Sequence, residues 1–179
     1  MQKISNEDLG RVSIEVYKSK KKLDIIVILD NIRSLHNIGS VFRTCDAFLV
    51  QKLYLCGICG TPPHQEIHKT ALGAENSVAW EYESDVIKII KSLKDDGYLI
   101  CVVEQTDQSI MLQDVGIKTD NKYVLVFGNE VDGVQERILP YADMAVEIPQ
   151  LGSKHSLNIS VSAGIVMWAW VSKLGVFLP

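Results

Sequence analysis

Phe127-Gly128-Asn129-Glu130-Val131-Asp132-Gly133 is the stretch that decides how this chain is read. Residues 123–127 form an apolar run that drives into a glycine, an amide and a carboxylate. A buried strand of a parallel sheet delivers polar groups to a ligand at its C-terminal end in this way. Two polar stretches follow, Ile148-Pro149-Gln150 and Ser156-Leu157-Asn158. Function is expected around these turns.

Working outward, residues 25–29 and 53–56 are apolar runs of strand length, and between them Ile38, Val41, Phe42, Cys45 and Phe48 recur at helical spacing. Further strands are expected at 98–103, 123–127 and 144–148, with a helix over 85–93. Alternating strands and helices imply an α/β fold, a parallel sheet with helices on both faces. From 156 to 174 the apolar residues cover nearly the whole circumference of a helix, which must be buried on more than one side. A homodimer interface is the economical expectation, with a packed central helix of the monomer as the alternative.

The composition sets bounds. At 179 residues and 47% hydrophobic, the chain can bury one sizeable core. We expect a short N-terminal extension, 1–24, and a single domain, 25–179. No stretch has the length and freedom from charge to cross a bilayer, and residues 1–7 lack an apolar signal core, so no membrane partner and a cytoplasmic location are expected. A net charge of -4 means that nucleic acid would have to be held by a local basic surface. Lys18-Ser19-Lys20-Lys21-Lys22 is one candidate; a solvated segment before the first strand is the other reading. Cys56-Gly57-Ile58-Cys59 has CxxC spacing with His64 and His68 downstream, but there is no second CxxC and a stiff Thr61-Pro62-Pro63 intervenes. No metal is expected there.

Asn37 and Gly39 stand where a loop is expected to become a helix, so free backbone N–H groups would favour a phosphate or carboxylate, with Arg43 six residues along as a clamp. Taken with the two later stretches, this resembles the SpoU, or TrmH-like, group of the SPOUT RNA methyltransferases. That group's first motif pairs Asn with Arg six positions later, its second reads Gly-Asn-Glu with a nearby glycine, and its third reads Ile-Pro followed by Ser-Leu-Asn. Here these are Asn37 and Arg43, Gly128-Asn129-Glu130 with Gly133, and Ile148-Pro149 with Ser156-Leu157-Asn158. One departure is Leu35, where relatives commonly carry proline.

The resemblance implies a deep C-terminal trefoil knot, S-adenosylmethionine as methyl donor, and a dimer with active sites near the subunit boundary. It implies transfer to a ribose 2′-hydroxyl of RNA, whose oxygen attacks the donor methyl in line and loses its proton. Arg43 would clamp a phosphate and stabilise the forming alkoxide, since a guanidinium offers fixed charge and no lone pair; the resemblance leaves direct proton acceptance open. Asn37 would orient Arg43 or the substrate, Glu130 and Asn158 would fix the loops and the ribose, and Ser156 would bond the substrate phosphate. Phe127, Gly128, Ile148 and Leu157 would hold the cofactor. Glu104-Gln105-Thr106 resembles a tripeptide of some tRNA-directed relatives and either lines the site or merely turns the chain. tRNA is the preferred substrate; an rRNA enzyme and a catalytically silent RNA-binding protein of the same fold are the alternatives. An ordinary doubly wound nucleotide-binding enzyme would carry a glycine-rich turn after the first strand, and Leu29-Asp30-Asn31-Ile32-Arg33 has none.

Overall fold

The computed structural model describes residues 1–5, 8, 10 and 12–176. Residues 6, 7, 9, 11 and 177–179, near the outer ends of the two expected segments, lie outside the described residues. Among the described residues seven parallel strands form one sheet: β1 (Leu23–Asp30), β2 (Val50–Cys56), β3 (Trp80–Glu83), β4 (Tyr98–Val103), β5 (Ile110–Met111), β6 (Lys122–Phe127) and β7 (Met144–Glu147). Their order across the sheet is β3-β2-β1-β6-β4-β7-β5. β6, late in sequence, is thus inserted between β1 and β4, and pairs with both in parallel register from Tyr123 to Phe127.

Six α-helices accompany the sheet among the described residues: α1 (Ile14–Ser19), α2 (Leu35–Ala47), α3 (Gln65–Ala71), α4 (Ala74–Ser77), α5 (Val86–Asp95) and α6 (Ile159–Lys173). The period-2 alternation of strand side chains divides the core into two layers. Ile25, Val27 and Leu29 of β1, with Tyr123, Leu125 and Phe127 of β6, meet α2 and α6 on one face. Ile26, Ile28, Val124 and Val126 face Val86, Ile90 and Leu93 of α5 on the other, together with Ile138 of a 3-10 segment, Glu136–Tyr141. Both faces being covered explains why the central strands read as continuous apolar runs rather than alternating ones.

α2 lies close to α3 because Gly39 carries no Cβ; one there would run into Thr70 Oγ1 and the Ile67 carbonyl. Tyr17 of α1 is buried in the core, so the first 24 residues are not wholly apart from the domain. Within the basic stretch Lys22 folds back onto the Tyr17 carbonyl and stands 4.0 Å from the centroid of its ring. Lys18, Lys20 and Lys21 remain exposed.

The cysteines of the CxxC stretch are buried. Cys59 Sγ accepts from the Ile32 N–H at 3.1 Å and donates to the Leu29 carbonyl at 3.3 Å. Burial pushes the Cys59 thiol up to about 11 and raises Cys56 as well. His64 caps α3, and His68 pairs with Glu75 at 2.5 Å. The stretch is therefore a strand end closed by local bonds.

Candidate functional site

The site is built where β6, β4 and β7 end. After Phe127 the chain folds into a small closed ring: the Asn129 and Gly133 backbones exchange hydrogen bonds of 3.2 and 3.1 Å. Asn129 Oδ1 accepts from the Val131 and Asp132 N–H groups at 2.9 and 2.8 Å, and Gly133 completes the ring at φ 67°. A left-handed residue here favours glycine. Gly128 lies so close beneath the ring that a Cβ on it would run into the Gly133 carbonyl and the Val134 nitrogen. The ring turns Glu130 and Val131 outward, where both are exposed.

From that position Glu130 Oε1 accepts a 2.8 Å hydrogen bond from Asn37 Nδ2. Asn37 Oδ1 in turn accepts from Asn158 Nδ2 at 3.2 Å. Asn158 Oδ1 accepts from the Ser160 N–H at 2.9 Å, which makes Asn158 the N-cap of α6. One polar chain, Glu130–Asn37–Asn158, therefore joins three segments that are far apart in sequence.

One local expectation changes. α2 begins at Leu35 rather than at Asn37, because Ser34 Oγ caps it by accepting from the Asn37 N–H at 3.3 Å. The backbone of Asn37 is thus engaged, and its side chain carries its contacts. Leu35 occupies the first helical position, where proline is tolerated, so leucine there leaves the helix start intact. The Glu130 side chain reaches across to α2.

Beside the polar chain lies a cavity of about 610 Å³. Phe127, Gly128, Ile148 and Leu157 all line it, as do Glu130 and Ser156. Its size falls within the usual range for a small-molecule site, and its walls combine apolar side chains with backbone and polar groups, as a nucleoside-bearing ligand requires. Arg43 stands elsewhere. It lines a second cavity of about 600 Å³ with Ser40, Thr44, Phe48, Lys69, Thr70 and Gly164 of α6. Six residues along a helix is about 9 Å of rise and well over half a turn beyond full circle, which carries Arg43 off the face of Asn37.

The Glu104-Gln105-Thr106 stretch is divided between two cavities. Glu104 and Gln105 line the first cavity, whereas Thr106 faces a different one on the far side of β4 and β7. Asp30, the fully buried last residue of β1, accepts from Gln135 Nε2 with both oxygens, at 2.7 and 2.8 Å. Burial pushes its carboxyl up, while the Gln135 bonds and the Arg137 charge act the other way. The signal available in advance was an acid closing an apolar run; its amide partner, 105 residues away, had none.

Comparison with known proteins gives a family and a shared fold. The profile of the SpoU rRNA Methylase family matches residues 24–168. A protein of Aquifex aeolicus named tRNA (guanosine(18)-2'-O)-methyltransferase is 32% identical over 155 residues, covering 83% of this chain and 69% of that one. The crystal structure of the A. aeolicus TrmH/SpoU tRNA modifying enzyme superposes with a TM-score of 0.79 at 29% identity, over 91% of this chain and 81% of that one. An AdoMet-bound rRNA methyltransferase from Sinorhizobium meliloti shares the fold, with a TM-score of 0.78 at 22% identity over 94% and 62% of the two chains. With the family profile spanning β1 to α6 and the motif side chains bonded to one another, this chain belongs to the SpoU methylase family.

Proposed function

We propose that this protein transfers a methyl group from S-adenosylmethionine to a ribose 2′-hydroxyl of RNA, with tRNA the preferred substrate. The observation that carries the reading is the Glu130–Asn37–Asn158 chain at the edge of a ligand-sized cavity. The name of the A. aeolicus relative favours tRNA over rRNA. When bound, the donor supplies a methyl group made electrophilic by a sulfonium. Phe127, Ile148 and Leu157 would pack its adenosine, and backbone groups beside Gly128 would bond its polar edge. Asn37, held on both sides, would orient the ribose; Ser156 would meet a phosphate from the exposed loop. Arg43, which lines the second cavity, would meet the ribose across a subunit boundary and steady there the negative charge that develops on its oxygen.

The second cavity reaches Gly164 of α6, so Arg43 stands beside the outer face of that helix, where Val161, Ile165 and Trp168 are exposed. A second copy of the chain closing over this stripe would place Arg43 at the subunit boundary. A trefoil knot is part of the same reading: the chain goes from β6 past β4 to β7, and then returns so that α6 packs beside α2. Extension by optical tweezers from both termini that reaches the full contour length would exclude the knot. Residues 25–179 form the catalytic domain in this reading, and the protein acts in the cytoplasm, where fractionation should recover it. No helix among the described residues is long and apolar enough to cross a membrane.

The test is methyl transfer from labelled donor to unmodified tRNA and rRNA, followed by mapping of ribose methylation. Label in tRNA riboses is the expected outcome. Label only in rRNA would reassign the substrate, and donor binding without transfer to either would leave a silent RNA-binding protein.

A further inference from the structure

β4 ends at Val103, and the next two residues lie between the two loops that wall the first cavity. The backbone of Glu104 is fixed by the sheet, since its N–H donates to the Val146 carbonyl of β7 at 3.0 Å. Its side chain turns to one wall. Glu104 Oε2 accepts from the Val134 N–H at 2.8 Å, while Oε1 accepts from the Gln105 N–H at 2.8 Å. Gly133 packs against the same carboxylate, and a Cβ there would run into Oε2. The Gln105 side chain turns to the other wall: its Nε2 donates to the His155 carbonyl at 3.2 Å, and Gln150 Nε2 reaches the same oxygen at 3.4 Å.

We infer that Glu104 and Gln105 are a pair of positioning residues that hold the 128–134 loop and the 150–157 loop at the separation needed to grip the methyl donor. The inference rests on the cofactor reading given above. A carboxylate that accepts from two backbone N–H groups is committed to them; such charge-assisted bonds are about twice as strong as neutral ones. Glu104 therefore acts through the Val134 segment rather than as a base. The chemistry of the partners also explains the residue types. Two facing donors require two acceptor oxygens, which glutamate has and glutamine lacks. A facing carbonyl requires a donor, which glutamine has and glutamate lacks. The 151–157 segment is exposed, so losing the Gln105 bond to His155 would loosen the wall that carries Ser156 and Leu157.

Two isosteric variants test this, Glu104→Gln and Gln105→Glu, each inverting the hydrogen-bonding sense with little change of volume. Measured beside the parent are amide exchange at Val134 and in 151–157, donor affinity by calorimetry, tRNA affinity and melting temperature. We expect Glu104→Gln to speed Val134 exchange and weaken donor binding, each by about tenfold or more. Gln105→Glu should weaken donor binding similarly and speed exchange in 151–157. Melting temperature and tRNA affinity should stay near the parent's, which a general loss of structure would not allow. Donor affinity and local exchange within twofold of the parent in both variants would overturn the inference. If the parent itself bound no donor, the cofactor reading would fail instead, and exchange at Val134 alone would decide whether the clasp exists.

Discussion

Asn37 donates to Glu130 and accepts from Asn158 with one amide, a double duty that no isostere can reproduce. Asn37→Asp would set a carboxylate against Glu130 and replace a donor by an acceptor. Transfer should fall by about tenfold to a hundredfold. Donor affinity should change little, because Asn37 does not line the first cavity; single-turnover methylation beside calorimetry checks both halves, and parental turnover would refute the role. Arg43→Ala should abolish transfer and spare donor binding for the same reason, since Arg43 lines the second cavity. Arg43→Lys should also be poor, as one ammonium lacks the planar fork. Gly128→Val belongs with the opposite class. Its side chain would collide with the Gly133 carbonyl and the Val134 nitrogen, displacing the ring rather than entering the cavity. Donor binding should weaken by at least tenfold, about 1.4 kcal/mol; unchanged affinity in a folded variant would mean that the ring is not part of the donor site.

At the scale of elements, Glu83 ends β3 and receives the Lys88 ammonium at 2.7 Å and the Asp85 N–H at 3.2 Å. The bond to Lys88, then that to the Asp85 N–H, lowers its carboxyl from 4.5 to about 2. A depressed folded value means that the stabilisation is present above pH 4.5 and is lost as pH falls towards 2. Glu83→Gln should remove that stabilisation, lowering neutral stability slightly towards its acid value and so flattening the acid limb of a stability profile in that window; the change is small because Lys88 stands in solvent. Urea midpoints between pH 2 and 5 check this; an unaltered limb would assign acid sensitivity elsewhere. The long elements were legible beforehand. β1, β4 and β6 are buried on both faces and read as unbroken apolar runs, and α2 shows its helical spacing. β3 and β5 were not, because an edge strand reading Trp-Glu-Tyr-Glu and a two-residue strand bury too little to show a period. α3 escaped for the same reason, with Ile67 and Ala71 its buried residues. At α6 the apolar residues were plain, but the start was not: the helix begins at Ile159 rather than at 156, with Asn158 as its cap.

The whole molecule presents Val161, Ile165 and Trp168 to solvent at 49%, 37% and 55% exposure, on a helix whose other side is core. Full burial of each such side chain would contribute about 1.5–3 kcal/mol, enough together to drive association. Sedimentation should therefore find a dimer at micromolar concentration, and Val161→Lys with Ile165→Lys should yield a monomer. A stable parental monomer would refute the interface. The apolar helix made that expectation possible from sequence, whereas the polar chain of the site was legible only through resemblance, because no local pattern announces a bond between Asn37 and Asn158. That bond has a consequence for the making of the protein. Its partners are separated by 121 residues, and those of the Asn37–Glu130 bond by 93. β1 leaves the ribosome well before β6 and waits for it before its second edge is paired. Contacts of such range are slow to close. A nascent chain that stops short of Asn158 can lay down much of the sheet yet hold no finished site, so competence to bind the donor should arise only after α6 has been made, and ribosome-bound chains halted before α6 emerges should bind none.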